Sequence, residues 1–278
     1  YRGTPLGKGI RNGTPDSFSV GGAYLDPEHA VARARVMARE GAEVIDVGGQ
    51  STRPGAHEVS LEDEARRVLP VIQRLARAIP IPISIDTSKA DIAARAVEAG
   101  ASIVNDVTAL RGDPDMAKVV ARTKAAVILM HMQGTPETMQ RAPRYREVVG
   151  EVSAFLLEAA ARADTAGIHR SRILIDPGLG FGKTLAHNLA LLRACSRLVD
   201  LGFPVVLGPS RKSFIGAILG AEVNDRLAGT LACVALAQRY GVHMVRVHDV
   251  KPAVHLLRML NAIEGQPGSR RPEVGSWK

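Results

Sequence analysis

The 278-residue chain could form one large domain or two small ones, and its 46% hydrophobic and 23% charged residues exclude a disordered chain. No apolar run reaches the roughly 18 residues that would cross a bilayer, and two cysteines, Cys195 and Cys233, far apart in sequence, give neither a disulfide framework nor a zinc knuckle. Aromatics at 4% are too few for a base-stacking platform, so the net charge of +8 points to small anionic substrates rather than to nucleic acid or a membrane. The N-terminal Tyr1-Arg2-Gly3-Thr4-Pro5 carries no apolar leader, which predicts a cytoplasmic protein. From there, short β-branched runs alternate with longer stretches of helical periodicity. Candidate strands fall at 9–12, 44–47, 81–86, 102–106, 126–130, 173–176, 205–208 and 244–247, the first interrupted by Lys8 and Arg11. Segments rich in Ala, Leu, Arg and Glu at 27–40, 61–78, 90–99, 144–166, 185–201 and 225–239 read as helices. Eight strands interleaved with helices predict a single-domain α/β fold, a (β/α)8 TIM barrel over 1–265, followed by a basic, flexible tail over 266–278. An open doubly wound sheet is the competing arrangement.

Nearly every candidate strand ends in polar residues or glycine, and a barrel would bring these ends onto one rim. They are Asp46-Val47-Gly48-Gly49, Asp86-Thr87, Asn105-Asp106, His131-Met132-Gln133, Asp176-Pro177-Gly178, Ser210-Arg211-Lys212 and Arg246-Val247-His248-Asp249. Helix capping explains any one of them, but not so many ends at once.

The segment Asp176-Pro177-Gly178-Leu179-Gly180-Phe181-Gly182-Lys183-Thr184 fails as a phosphate loop, because proline stands where the first glycine belongs. It fails as a dinucleotide fingerprint because Lys183 stands at the third glycine. What remains is a glycine loop directly after a strand-end carboxylate. Ser51-Thr52-Arg53-Pro54-Gly55 offers hydroxyls and a guanidinium to an anion. Asn12 could give an oxygen to a hard cation. Arg246 and His248, two apart, would face the same side of their strand. His131 fits a structural place as well as a ligand's.

Together these stretches, from about Lys8 to Gly265, resemble the dihydropteroate synthase family: Asn12 with Thr14-Pro15-Asp16-Ser17, the 46–55 segment, Ser84-Ile85-Asp86-Thr87, Asn105-Asp106, Met130-His131, the 176–183 loop, Ser210-Arg211-Lys212 and Arg246-Val247-His248. The resemblance implies a TIM barrel, a homodimer and a sulfonamide target, which joins 6-hydroxymethyl-7,8-dihydropterin pyrophosphate to p-aminobenzoate with Mg2+ present and releases pyrophosphate. It implies that Asp176, Asp86, Asn105 and Lys212 hold the pterin. Asn12, Thr52, Arg53, Arg246 and His248 would take the pyrophosphate, with Asn12 anchoring the Mg2+. Pro54, Phe181, Ser210 and Lys212 would hold the aryl substrate. Catalysis would rest on Asp86, Asp176, Lys212 and Arg53. Arg11, Gly13, Val20 and Gln50 depart from the family pattern, which leaves open a pterin-binding paralogue of weak turnover. A pterin-dependent methyltransferase is the other alternative, and it would have no use for Arg53, Arg246 and His248 on an anion.

Overall fold

The computed structural model describes residues 27–51 and 59–264. Its strands are β1 (Ile45–Gly48), β2 (Ile83–Asp86), β3 (Ile103–Asp106), β4 (Ala126–Met130), β5 (Ile173–Asp176), β6 (Val206–Leu207) and β7 (Met244–Val245). Around them run α1 (Pro27–Glu40), α2 (Leu61–Ala78), α3 (Ala90–Glu98), α4 (Met116–Thr123), α5 (Val148–Thr165), α6 (Leu185–Arg193), α7 (Cys195–Val199), α8 (Ser213–Leu219), α9 (Leu227–Arg239) and α10 (Val250–Ile263). Strands β1 to β5 form a parallel sheet in sequence order, β6 pairs parallel with β7, and a bridge between Ile175 and Val205 joins the two ladders. The candidate strand 9–12 lies outside the described residues, as does the tail 266–278. The expected helix over 185–201 is divided at Ala194 into α6 and α7, and that over 225–239 starts only at Leu227, after a 3-10 turn at Val223–Asp225.

The two-residue period of the strands sorts their side chains onto two faces. Ile45, Val47, Ile83, Ile85, Val104, Val127, Leu129, Ile173, Ile175, Val205, Leu207 and Val245 join the large core beneath the helices. The alternate residues Val44, Ile103, Ala126, Ile128, Leu174 and Val206, with Met244 against them, form a separate cluster. Residues from strand segments 1, 3, 4, 5, 6 and 7 can meet in one cluster only if the sheet curls round on itself. This inner cluster is the floor of a barrel, and α1 packs against α10 to close the helical ring outside it. The architecture is the expected single-domain α/β barrel, not an open doubly wound sheet, with seven strands among the described residues.

Caps fix the helix starts. Ser60 accepts from the Asp63 backbone N–H at the start of α2, and Thr184 and His187 form a reciprocal capping box on α6. Cys195 and Cys233 are buried free thiols, pushed up to about 12 and about 11 by burial, so neither is a nucleophile. Among the described residues, no helix is long and apolar enough to cross a membrane.

Candidate active site

On β2, β3, β5 and β7 the inward positions become polar at the C-terminal end. Asp86 ends β2, Asn105 is the last residue but one of β3, Asp176 ends β5, Arg246 follows β7, and Lys212 lies in the loop after β6. These five residues line one cleft, walled by Val107, Met130, Leu179 and Phe181. The cleft thus combines an apolar slot with convergent carboxylate, amide, ammonium and guanidinium groups, a combination suited to a flat heterocycle with polar edges.

Arg246 crosses the top of the barrel. Its Nε donates to Asp46 Oδ2 at 2.8 Å and its Nη2 to Asp86 Oδ2 at 3.2 Å. Asp46 is buried beneath it, and Asp46 Oδ1 and Ser84 Oγ, paired in register between β1 and β2, have no hydrogen-bond partner among the described residues. Asp176 is buried, with Oδ1 accepting from the Gly178 N–H at 2.7 Å. Burial raises its pKa above the ordinary aspartate value, opposed by that N–H and by the charges of Lys212, Arg246 and Lys183.

The loop 177–183 is held against the segment after β4. Gly178 has φ +66, and a Cβ there would collide with the His131 carbonyl oxygen, so glycine is required. Gln140 Nε2 donates to the Gly180 carbonyl at 2.6 Å and Tyr145 Oη to the Gly182 carbonyl at 2.8 Å. The result presents the Phe181 ring 4.3 Å from Lys212 Nζ, a cation–π contact at the cleft wall.

Lys212 is aimed from the other side by Arg211, whose φ of +55 is strained for a residue with a side chain. The strain is held in place by neighbours: Arg211 Nε and Nη2 meet Asp249 at 3.1 and 2.7 Å, its N–H donates to Thr230 Oγ1, and its carbonyl accepts from Arg226 Nη1. Beside it Ser210 Oγ accepts from the His248 backbone N–H at 3.1 Å and lies 2.8 Å from His248 Nδ1. Ser210 and His248 therefore pair with each other. Beside Gly49 and Gln50, buried Glu64 binds Thr87 Oγ1 at 2.7 Å and Lys89 Nζ at 2.6 Å, and Lys89 also donates to Gln50 Oε1 at 2.8 Å.

Of the site residues expected from sequence, Asp86, Asn105, Asp176, Phe181, Lys212 and Arg246 come together on the cleft. Asn12, Thr52, Arg53 and Pro54, with the departures Arg11, Gly13 and Val20, lie outside the described residues. Sequence reasoning gave no task to Asp46 or Arg211. The signal for Asp46 was its inward register, in step with Gly48 on β1. For Arg211 there was none, since positive φ at arginine leaves no mark in the sequence. Among the described residues no group of three His, Cys, Asp or Glu side chains could hold a metal ion.

The family model of pterin binding enzymes matches residues 8–248. The dihydropteroate synthase of Escherichia coli K12 is 44% identical over 265 residues, covering 95% of this chain and 94% of the relative. The crystal structure of the Yersinia pestis dihydropteroate synthase with a sulfonamide drug complex superposes with a TM-score of 0.87 at 40% identity, over 94% of this chain and 96% of that one. The Xanthomonas albilineans dihydropteroate synthase with 4-aminobenzoic acid gives 0.83 at 47% identity, over 93% and 92%. With the family model matched from residue 8 to 248 and relatives aligned along almost their whole length, the chain belongs to the dihydropteroate synthase family of pterin-binding TIM-barrel enzymes.

Proposed function

We propose that the cleft condenses 6-hydroxymethyl-7,8-dihydropterin pyrophosphate with p-aminobenzoate, giving 7,8-dihydropteroate and pyrophosphate for folate biosynthesis. The observation that carries this assignment is the convergence of Asp86, Asn105, Asp176, Lys212 and Arg246 on one cleft. Asp176 accepts two N–H groups from the aminopyrimidinone edge of the pterin, a bidentate contact that a carboxylate makes and an amide does not. Asn105 and Asp86 meet the remaining ring nitrogens, and Lys212 the carbonyl side. The C–O bond at the pterin methylene breaks with its electron pair leaving on pyrophosphate. The positive charge that develops spreads into the ring, where Asp86 and Asp176 stabilise it. The arylamine nitrogen then forms the new C–N bond and loses a proton.

The leaving pyrophosphate is received by Arg246 and His248, together with Asn12, Thr52 and Arg53. Arg246 suits this task because its contact with Asp86 links the pterin side of the cleft to the anion side. The oxygen of Asn12 and those of the pyrophosphate are hard donors that fit Mg2+, which when bound neutralises charge on the leaving group. The aryl substrate lies between Pro54, Phe181 and Lys212, with its carboxylate reached by Ser210, and sulfonamides compete for that place. The proposed pterin-binding domain spans residues 1–265, followed by a basic segment over 266–278. The enzyme acts in the cytoplasm as a homodimer, and exposed Ile218, Leu219, Met259 and Ile263 on α8 and α10 are apolar surface for the partner copy.

The test is incubation of the purified chain with both substrates and Mg2+, following dihydropteroate and released pyrophosphate. Formation of both in equal amounts is expected. Pterin binding without product would identify a non-catalytic paralogue, and methyl transfer from a methylated pterin would identify the other enzyme class.

A further inference from the structure

Lys183 is a buried cation that the reaction above leaves without a task. It is 3% exposed and is not among the residues lining the cleft. Its Nζ lies 2.9 Å from the Phe181 carbonyl oxygen, 2.9 Å from His131 Nδ1 and 3.5 Å from the His131 carbonyl oxygen. An ammonium has three N–H donors and no acceptor, so these groups match its full donor set. His131 Nδ1 must then offer a lone pair, which places the imidazole proton on Nε2. Burial and the Lys183 charge push His131 down to about 3, so the ring stays neutral and remains an acceptor. His131 is itself fixed: its backbone N–H donates to the Asp176 carbonyl at 2.9 Å, and its ring meets Phe155 edge-on at 4.8 Å. Burial also lowers Lys183 to about 7, with Asp176 holding it up and Lys212 pressing it down.

Phe181 connects this buried group to the cleft. Its carbonyl is gripped from behind by Lys183, while its ring faces Lys212 Nζ at 4.3 Å in front. Gly180, one residue earlier, packs under the Lys212 stem so closely that a Cβ would lie 3.2 Å from Lys212 Cδ. Moving the Phe181 backbone would therefore move the place where Phe181 and Lys212 meet.

We infer that Lys183 is a positioning residue for the aryl half of the reaction, braced on His131 and holding the Phe181 carbonyl so that Phe181 and Lys212 stand at the height of the p-aminobenzoate ring. The inference rests on the assignment of Phe181 and Lys212 to the aryl site. It requires no contact between Lys183 and either substrate.

The test is steady-state kinetics on the full chain carrying Lys183→Met, Lys183→Gln or His131→Phe, with circular dichroism to establish folding. Lys183→Met, close in shape and without donors, should raise the KM for p-aminobenzoate about tenfold, the loss of one charge-assisted hydrogen bond, with kcat and the pterin pyrophosphate KM within about twofold. Lys183→Gln keeps a donor for the Phe181 carbonyl and should recover most of that loss. His131→Phe keeps the ring packing, removes the brace and should raise the same KM by about threefold; it carries the test if Lys183→Met does not fold. An unchanged aryl KM in a folded variant, or equal rises for both substrates, overturns the inference and leaves the assignment of the cleft standing. A parent enzyme inert toward the substrate pair overturns that assignment and the inference with it.

Discussion

Replacing Asp176 with Asn separates what this carboxylate does for binding from what it does to the fold. The substitution leaves an oxygen to accept the Gly178 N–H, now 2.7 Å from Oδ1, but removes the charge and one of the two acceptors offered to the pterin edge. A hydrogen bond to a charged group is worth roughly 1.5–3 kcal/mol, so pterin affinity should fall by about tenfold to 150-fold. Stability should move the other way. Burial raises the Asp176 pKa in the folded chain above its ordinary 3.8. A raised pKa favours the fold while the group is protonated, and that contribution is lost as the pH rises through the folded value. At neutral pH the ionised carboxylate therefore costs stability, and Asp176→Asn should melt no lower than the parent there. The difference should shrink as the pH falls into acid, where the parent is protonated too. Calorimetric titration with a pterin and thermal melts across that pH range check both halves. Unchanged pterin affinity in the folded variant would refute the placement of Asp176 on the pterin edge, and a lower neutral-pH melt would refute the desolvation argument.

Asp46→Asn keeps a hydrogen bond to Arg246 Nε and removes its buried counter-charge, so kcat/KM for the pterin pyrophosphate should drop by about tenfold, or 1.4 kcal/mol, with affinity for the pterin lacking pyrophosphate unchanged. Gly178→Ala sets a Cβ against the His131 carbonyl at φ +66 and should destabilise the fold by roughly 3 kcal/mol or more, read as a lowered denaturation midpoint. Because the proposed anion contacts Thr52 and Arg53 adjoin the proposed aryl contact Pro54 in sequence, p-aminobenzoate should bind measurably tighter with pyrophosphate and Mg2+ than without, and chelation should abolish turnover.

Much of the barrel was visible in the sequence because one periodicity served two purposes. In β3 the same alternation that buries Val104 beneath the helices turns Ile103 into the barrel floor and Asn105 toward the cleft. A pattern of apolar runs ending in Asp or Asn therefore carried fold and site together. The strand ends after β6 and β7 were less legible. These strands are two residues each, so the backbone leaves the ladder early, and Lys212 is aimed by Arg211 in a left-handed conformation held by Asp249, Thr230 and Arg226. Those anchors come from two segments distant in sequence, the start of α9 and the residue before α10, and no local pattern announces them. Arg246 was placed on an anion by sequence, yet its contacts with Asp46 and Asp86 span the barrel and follow only from closure. Ser210 and His248 differ again, since the hydrogen bond between them joins residues 38 apart in sequence.

The charges of the cleft bear on the proposed roles of Asn12 and Arg53. By formal charge, Asp46, Asp86 and Asp176 are matched in number by Lys183, Lys212 and Arg246, all at or directly behind the cleft, and burial draws Asp176 and Lys183 both toward their neutral forms. The described part of the site is thus close to neutral before substrate arrives, which is how three carboxylates are tolerated at the end of a barrel interior. A neutral pterin would enter such a site without adding charge, and in the proposed pose its N–H groups would take over part of the work that Lys212 and Arg246 do for Asp176. The pyrophosphate brings several negative charges that no surplus within this set can meet. Arg246 alone cannot turn to it without leaving Asp46 and Asp86 uncompensated. In the proposed reaction the further positive charge would come from His248, from Arg53 and from a cation at Asn12.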